Sequence, residues 1–263
     1  MLTLTLATLA LAGPTELELA AGAAVRASDD PMFSDRVYTG ASPIHGGLAV
    51  RHDAGGLRNE IEAAFDLTRV RTGPSYSWRW NDDDPLTPLP GSPFVRVDLA
   101  WQLGAPVIEG PVDVHVGAAW RNRVDARNHD YGQVGVFGYV GLFGVGPYVR
   151  VASDKGRWSA AAELDVMALG WGTRSPYGLN DAPYIQASRD HNGVKTFFDH
   201  VGRGRPVTAV STQYVAVQGG ITRALSDRWS ASARVDVQLL TERNPEPLVD
   251  LVVTPRLAIS TRL

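Results

Sequence analysis

Two segments between predicted strands carry the acidic side chains best suited to hold a metal ion. Residues 28–40 include Asp29, Asp30 and Asp35, and residues 81–84 read Asn-Asp-Asp-Asp. Ca²⁺ prefers carboxylate and carbonyl oxygens, so Asp29, Asp30 and Asp35 are candidate calcium ligands, although their spacing matches no EF-hand loop. Acid-rich loops that are simply solvated explain the same composition and are the preferred interpretation. The sequence therefore predicts no obligatory cofactor and leaves Ca²⁺ open.

Three histidines are candidates for a catalytic base, and none is assigned that role. His191 and His200 lie in a long predicted loop beside Asp190 and Asp199, and His115 lies on a predicted strand. A histidine within hydrogen-bond reach of a carboxylate can activate water. For His115 we favour a structural place in a network of charges.

Part of the first acidic segment resembles a known family. Ser34-Asp35-Arg36-Val37-Tyr38-Thr39-Gly40 is similar to the stretch that enters the second strand of the outer-membrane lipid A deacylases. The resemblance implies Asp29 or Asp30 as a calcium ligand and Thr39 near a site that hydrolyses lipid. It is confined to this short stretch, and this chain lacks the family's Asn before the glycine.

The elements that position these groups are segments in which polar and apolar residues alternate. In residues 229–239, Trp229, Ala231, Ala233, Val235, Val237 and Leu239 share one face, and Ser230, Ser232, Arg234, Asp236 and Gln238 share the other. Side chains alternate across a β-strand, so this pattern predicts a strand that is apolar on one side and wet on the other.

Similar segments recur along the whole chain. They predict strands near residues 16–27, 44–52, 57–72, 95–103, 112–126, 134–153, 158–171, 214–218, 229–239 and 249–263. The segment 134–153 changes phase near Gly144 and is predicted as one strand with a bulge, with two short strands as the alternative. About ten such strands joined by turns are typical of an all-β, antiparallel, up-and-down transmembrane barrel.

A soluble β-sandwich or a lipocalin-like barrel would alternate in the same way but would point its apolar residues inward. The membrane barrel is favoured because the polar faces carry many opposite charges and the apolar faces are rich in Ala, Val and Leu. Trp101, Trp120, Trp158 and Trp229 are predicted to face outward toward strand ends, as in an interfacial aromatic girdle.

The polar faces predict a lumen filled with ion pairs. Ten strands enclose little space, and unpaired buried charges are costly, so inward acids and bases should pair. The predicted lumen network is Arg58, Glu60, Glu62, Asp66, Arg96, Asp98, Asp113, His115, Arg121, Glu163, Asp165, Arg234, Asp236, Asp250 and Arg256. A path for protons or ions along these groups, or a channel for small solutes, is the alternative.

Composition limits the remaining possibilities. The 263-residue chain has no cysteine, which excludes disulfides and thiolate metal sites, and its net charge of −3 gives no indication of nucleic-acid binding. Residues 1–13 are predicted to be a signal peptide, although no Lys or Arg precedes their apolar run. Residues 14–263 are predicted to form one barrel domain with outer loops near 28–43, 73–92 and 172–207.

These observations predict an integral protein of the bacterial outer membrane, exported by the general secretory route and surrounded by lipid and lipopolysaccharide. The favoured function is non-enzymatic: a structural, binding or narrow-pore barrel. The alternatives are a calcium-dependent lipid A or phospholipid hydrolase and a small-solute channel. A protein partner is not indicated by the sequence.

Overall fold

A computed structural model describes residues 13–33, 36–72, 77–79, 81, 83, 87–88, 91–131, 134–175, 193–244 and 246–263. Ten strands form the wall, and two of them are divided into two sections. They are β1 (Thr15–Asp29), β2 (Val37–Ala54), β3 (Leu57–Thr72), β4 (Ser92–Ile108), β5 (Asp113–Tyr131), β6 (Val134–Lys155), β7 (Trp158–Val166 and Leu169–Arg174), β8 (Arg205–Thr208 and Thr212–Ala224), β9 (Trp229–Glu242) and β10 (Leu248–Arg262).

Every strand pairs antiparallel with its neighbours in the chain, and the first strand pairs with the last. Glu16 lies opposite Arg262 on one side and opposite Arg51 on the other, which closes the sheet into a ring. The predicted ten-stranded up-and-down barrel is therefore confirmed. Closure leaves the wall without an edge strand whose backbone groups would need partners in a membrane.

The wall separates apolar and charged residues in the predicted direction. On β10, Leu257 and Ile259 are 69% and 55% exposed on the outside, whereas Asp250 and Arg256 are buried inside. All four predicted tryptophans face outward, but Trp101 and Trp120 contact each other within their strands rather than at strand ends. An exterior of exposed Leu, Val, Ile and Trp suits contact with lipid.

The strands differ from the prediction in two places. β6 is a single strand, but the irregularity expected near Gly144 lies in the facing strand, where Met167 and Ala168 interrupt β7. Ala168 donates a backbone hydrogen bond to Val145, so the interruption stays tied to the wall. β2 begins at Val37, so much of the predicted loop 28–43 belongs to the wall.

The two ends of the barrel differ, and we name them by their connections. At the turn end, β2 and β3 are joined by Gly55 and Gly56, whose positive φ angles of 59° and 79° suit a tight hairpin. At the loop end, the connection between β7 and β8 contains helix α1 (Gly193–Gly202), and Ser77–Trp78 pairs with Thr87–Pro88 between β3 and β4. Across the described residues, none of the helical structure has the length and apolar character needed to span a bilayer.

Candidate functional site

Charged side chains fill the lumen in three clusters, one of which lies at the turn end. This turn-end cluster contains Arg51, Arg58, Arg150, Arg234, Glu16, Glu18, Glu60 and Glu163. Arg51 lies 2.7 Å from Glu18 and 2.8 Å from Glu60, and Arg234 lies 2.6 Å from Glu18. Each glutamate thus pairs with a guanidinium group from another strand, so the cluster ties neighbouring strands of the wall together.

The middle cluster crosses the barrel about halfway along its axis. It contains Glu62, Asp66, Arg96, Asp98, Arg121, Asp165, Asp236, Gln238 and Arg256. Arg96 lies 2.6 Å from Asp66 and donates a 2.9 Å hydrogen bond to Gln238 on the far side of the barrel. Arg256 pairs with Asp236 at 2.9 Å and also with Glu62. The cavity between these side chains measures about 20 Å³, which is enough for about one water molecule.

The loop-end cluster is the most deeply buried of the three. It contains Arg26, Arg123, Arg127, Arg174, Asp30, Asp125 and Asp250. Asp250 accepts two hydrogen bonds from Arg26, at 2.8 and 3.0 Å, and another from Arg123. Arg26 also lies 3.0 Å from Asp125. The bidentate geometry gives strong charge-assisted bonds and fixes the planes of these groups.

The turn that follows β1 lies against this cluster. Asp30 pairs with Arg127 at 3.4 Å and with Arg174, which holds the turn that follows β1 inside the barrel. Phe33 from the same turn stacks on His129, with ring centroids 4.5 Å apart and planes 2° apart. Tyr38 and Phe94 contact the other sides of the His129 ring. Aromatic groups are therefore packed together beside the loop-end cluster.

Of the three candidate calcium ligands, the structure describes Asp29 and Asp30, whose side chains lie on different sides of the wall. The carboxylate of Asp30 faces two guanidinium groups, and Asp29 lies on the outward side of β1, while Asp35 lies outside the described residues. No cluster of three or more His, Cys, Asp or Glu side chains suited to a metal occurs within the described ranges. Asp29 and Asp30, as the structure places them, are not arranged to share one Ca²⁺ ion.

Two of the candidate catalytic histidines, His115 and His200, are described, and they lie toward opposite ends of the barrel. His115 faces the lumen on β5 near the turn end, and its Nδ1 is buried without a hydrogen-bond partner among the described residues. Asp113 makes no ion pair within the described chain and instead accepts a 2.9 Å bond from the backbone N–H of Gly110. His200 belongs to α1, and His191 lies outside the described residues. The remaining predicted lumen residues all lie in the three clusters.

Several network residues were missed in the sequence although the signal was present. On β5, Arg123, Asp125 and Arg127 continue the inward alternation of Arg121 toward the loop end. Arg51 and Arg150 likewise occupy inward positions of β2 and β6. Asp30 and Arg174 had no such signal, because Asp30 follows the end of β1 and Arg174 follows the interruption in β7.

Helix α1 packs against the outside of the wall near the loop end. The ring of His200 stacks on Tyr139 at 4.2 Å, and the backbone carbonyl of His200 accepts a 2.8 Å bond from Thr173. Trp171 donates a 2.7 Å bond to the carbonyl of Val201. These bonds satisfy carbonyls that a helix C-terminus leaves without partners. Burial lowers the pKa of His200, and the charge of nearby Arg203 lowers it further.

Comparison with solved structures identifies the architecture. The fold is similar to that of the outer membrane protease OmpT from Escherichia coli, with a TM-score of 0.60, 5% sequence identity and coverage of 97% of this chain and 98% of that chain. The chain has the fold of a bacterial outer-membrane β-barrel. At this identity the likeness concerns the fold alone.

More distant matches include Neisserial surface protein A (TM-score 0.39, 9% identity, 94% of this chain and 97% of that chain) and the translocator domain of the autotransporter NalP from Neisseria meningitidis (TM-score 0.39, 11% identity, 94% and 88%). No protein-family model matches the sequence, and no curated protein matches it.

Proposed function

We propose that this protein is a non-conducting outer-membrane barrel whose ion-paired interior is a rigid scaffold and whose function lies on its loop-end surface. The observation that carries this proposal is the obstruction of the lumen along its length. Three charged clusters follow one another along the axis, and the middle cluster leaves a cavity of only about 20 Å³. A hydrated ion needs a continuous wet path, which this packing does not offer.

The loop end is assigned to the cell exterior. Outer-membrane barrels place their short turns in the periplasm and their longer loops outside. The described chain has tight turns at Gly55–Gly56 and Gly156–Arg157, whereas α1 and the short pairing of residues 77–78 with 87–88 lie at the opposite end. Surface loops on a rigid scaffold are where binding functions concentrate.

Single-channel recording in planar lipid bilayers tests the proposal. The purified protein should give no conductance steps, while an open general porin inserted under the same conditions should give clear steps. Heat-dependent migration on gels would establish that the inserted protein is folded. Discrete steps from the folded protein would contradict the sealed lumen and would support the small-solute channel instead.

Hydrolysis of lipid is the competing function, because the stretch from Ser34 to Gly40 resembles the lipid A deacylases. The geometry disfavours it, since Asp30 is neutralised by Arg127 and Arg174 rather than free to bind calcium. Purified protein should release no acyl chains from lipid A, with or without a chelator. Chelator-sensitive release would replace the scaffold proposal with the hydrolase.

A further inference from the structure

The outward face of β3 changes character abruptly near the loop end. Its outward residues are first apolar, with Ile61, Phe65 and Leu67 facing lipid, and then cationic, with Arg69 and Arg71. Alternate residues of a strand are about 7 Å apart, so Arg69 lies one step beyond the last apolar side chain. Both arginines are exposed. Such a change from apolar to cationic side chains is the one expected where acyl chains meet headgroups.

These two guanidinium groups have no acidic partner among the described residues. Their cross-strand neighbours are neutral: Thr39 lies opposite Arg71, and Ala41 and Pro93 flank Arg69. The arginines of the three lumen clusters, by contrast, all pair with carboxylates. Two adjacent cations outside the wall, with no counter-charge in the part of the chain that the structure describes, form a site of positive potential for an external anion.

The backbone beside Arg71 is adapted to this side chain. Gly91 has a φ of 91°, a conformation that favours glycine. A Cβ atom at Gly91 would lie 3.2 Å from Cγ of Arg71 and 3.4 Å from its Nε. Glycine therefore leaves room for the stem of Arg71 to lie across the backbone that leads into β4.

We propose that Arg69 and Arg71 bind the phosphate groups of an outer-leaflet lipid whose acyl chains lie along the apolar face of β3. The planar guanidinium group matches phosphate oxygens with paired hydrogen bonds. Basic residues next to a membrane surface recognise anionic headgroups. The adjoining apolar stripe fixes the ligand as a phosphorylated lipid. The inference rests on the proposed placement of the loop end at the cell exterior.

Native mass spectrometry of the purified protein with added diphosphorylated lipid A provides the test. The double variant Arg69→Gln, Arg71→Gln should retain the lipid about tenfold more weakly than the original protein, since two charge-assisted contacts are lost. The matched control is Arg223→Gln, an outward arginine at the turn end that lies over Trp158. This control should bind lipid A as the original protein does.

Two further arms identify the ligand. Dephosphorylated lipid A should bind the original protein as weakly as the double variant binds the intact lipid, and millimolar inorganic phosphate should not displace the lipid. Equal retention by the original protein and the double variant would overturn the proposal, as would displacement by inorganic phosphate. Heat-dependent gel migration verifies that the variants fold. Bilayer recording reports on the sealed lumen separately, so failure of either proposal can be recognised.

Discussion

The loop-end and turn-end clusters each contain four arginines, but they differ in their acids and in their access to water. The loop-end cluster uses three aspartates, and its side chains are at most 1% exposed. The turn-end cluster uses four glutamates, and Arg58, Arg150 and Arg234 are 14–17% exposed. The shorter aspartates hold a tighter cluster beneath the turn that contains Phe33.

This difference shows how burial changes the role of the same chemistry. A charge removed from water loses hydration, and only well-formed partners compensate for that loss. At the turn end, water can replace a missing partner at modest cost. At the loop end water cannot do so. Each ion pair there should therefore contribute more to the free energy of unfolding than an ion pair at the turn end does.

Substitution of Asp250 should have the largest effect. Asp250→Asn keeps the shape of the side chain but removes one of the two carboxylates that Arg26 and Arg123 share, leaving Asp125 alone between them. Breaking a buried ion pair costs about 3–5 kcal/mol, and the free energy of unfolding should fall by that amount. Urea titration in lipid or detergent, followed by tryptophan fluorescence, measures it. A decrease in the free energy of unfolding of less than about 1 kcal/mol would show that the loop-end cluster is accessible to water.

Substitution at the turn end sharpens the comparison. Glu163→Gln removes the partner of Arg150, whose Nε lies 3.2 Å from the carboxylate. Because both side chains reach water, the free energy of unfolding should fall by about 1 kcal/mol or less. The same urea titration serves as the readout. If Glu163→Gln lowered the free energy of unfolding as much as Asp250→Asn does, the two clusters would not differ in their contribution to stability.

The smallest expected effect concerns pH and helix α1, outside the membrane-spanning strands. The pKa of His200 is lowered by burial and by Arg203, so protonation weakens its docking on Tyr139. The stabilisation is present above the ordinary histidine pKa of about 6.5 and is lost as pH falls toward the lowered value. Hydrogen exchange in α1, once corrected for the intrinsic rate at each pH, should therefore show less protection at acidic pH than at neutral pH.

The matched variant for this experiment is His200→Phe, which retains an aromatic ring against Tyr139 but cannot be protonated. Its hydrogen exchange in α1, corrected for the intrinsic rate at each pH, should be independent of pH over the same range. If exchange in the original protein also showed no dependence on pH, the stacked imidazole would not control the docking of the helix.

Much of the wall could be predicted from sequence because strand alternation is local. The faces of β9 and β10 follow directly from residues such as Val235, Asp236, Leu257 and Arg256. The place of the irregularity could not be predicted, because glycines near Gly144 indicate only that the wall bends there. Which strand is interrupted depends on pairing between β6 and β7.

The candidate site was predicted less completely than the wall. The alternation along β5 extends from Arg121 through Arg123 to Arg127. It therefore predicts that the β5 residues of the loop-end cluster face the lumen. The return of Asp30 into the lumen was not, since a turn residue has no period that would show its direction. For the same reason, its pairing with Arg127 and Arg174 could be learned only from the three-dimensional structure.

The pairing of Arg26 with Asp250 joins the first strand to the last across the seam of the ring. Arg26 and Arg123 come in the first half of the chain, and Asp250, which neutralises them, comes near its end. Arg256, which completes the middle cluster, also lies on the last strand. Insertion of the final strand therefore completes the wall and balances its interior charges in one event. A barrel without its last strand would lack Asp250 and would leave Arg26 and Arg123 with fewer counter-charges than the closed wall provides.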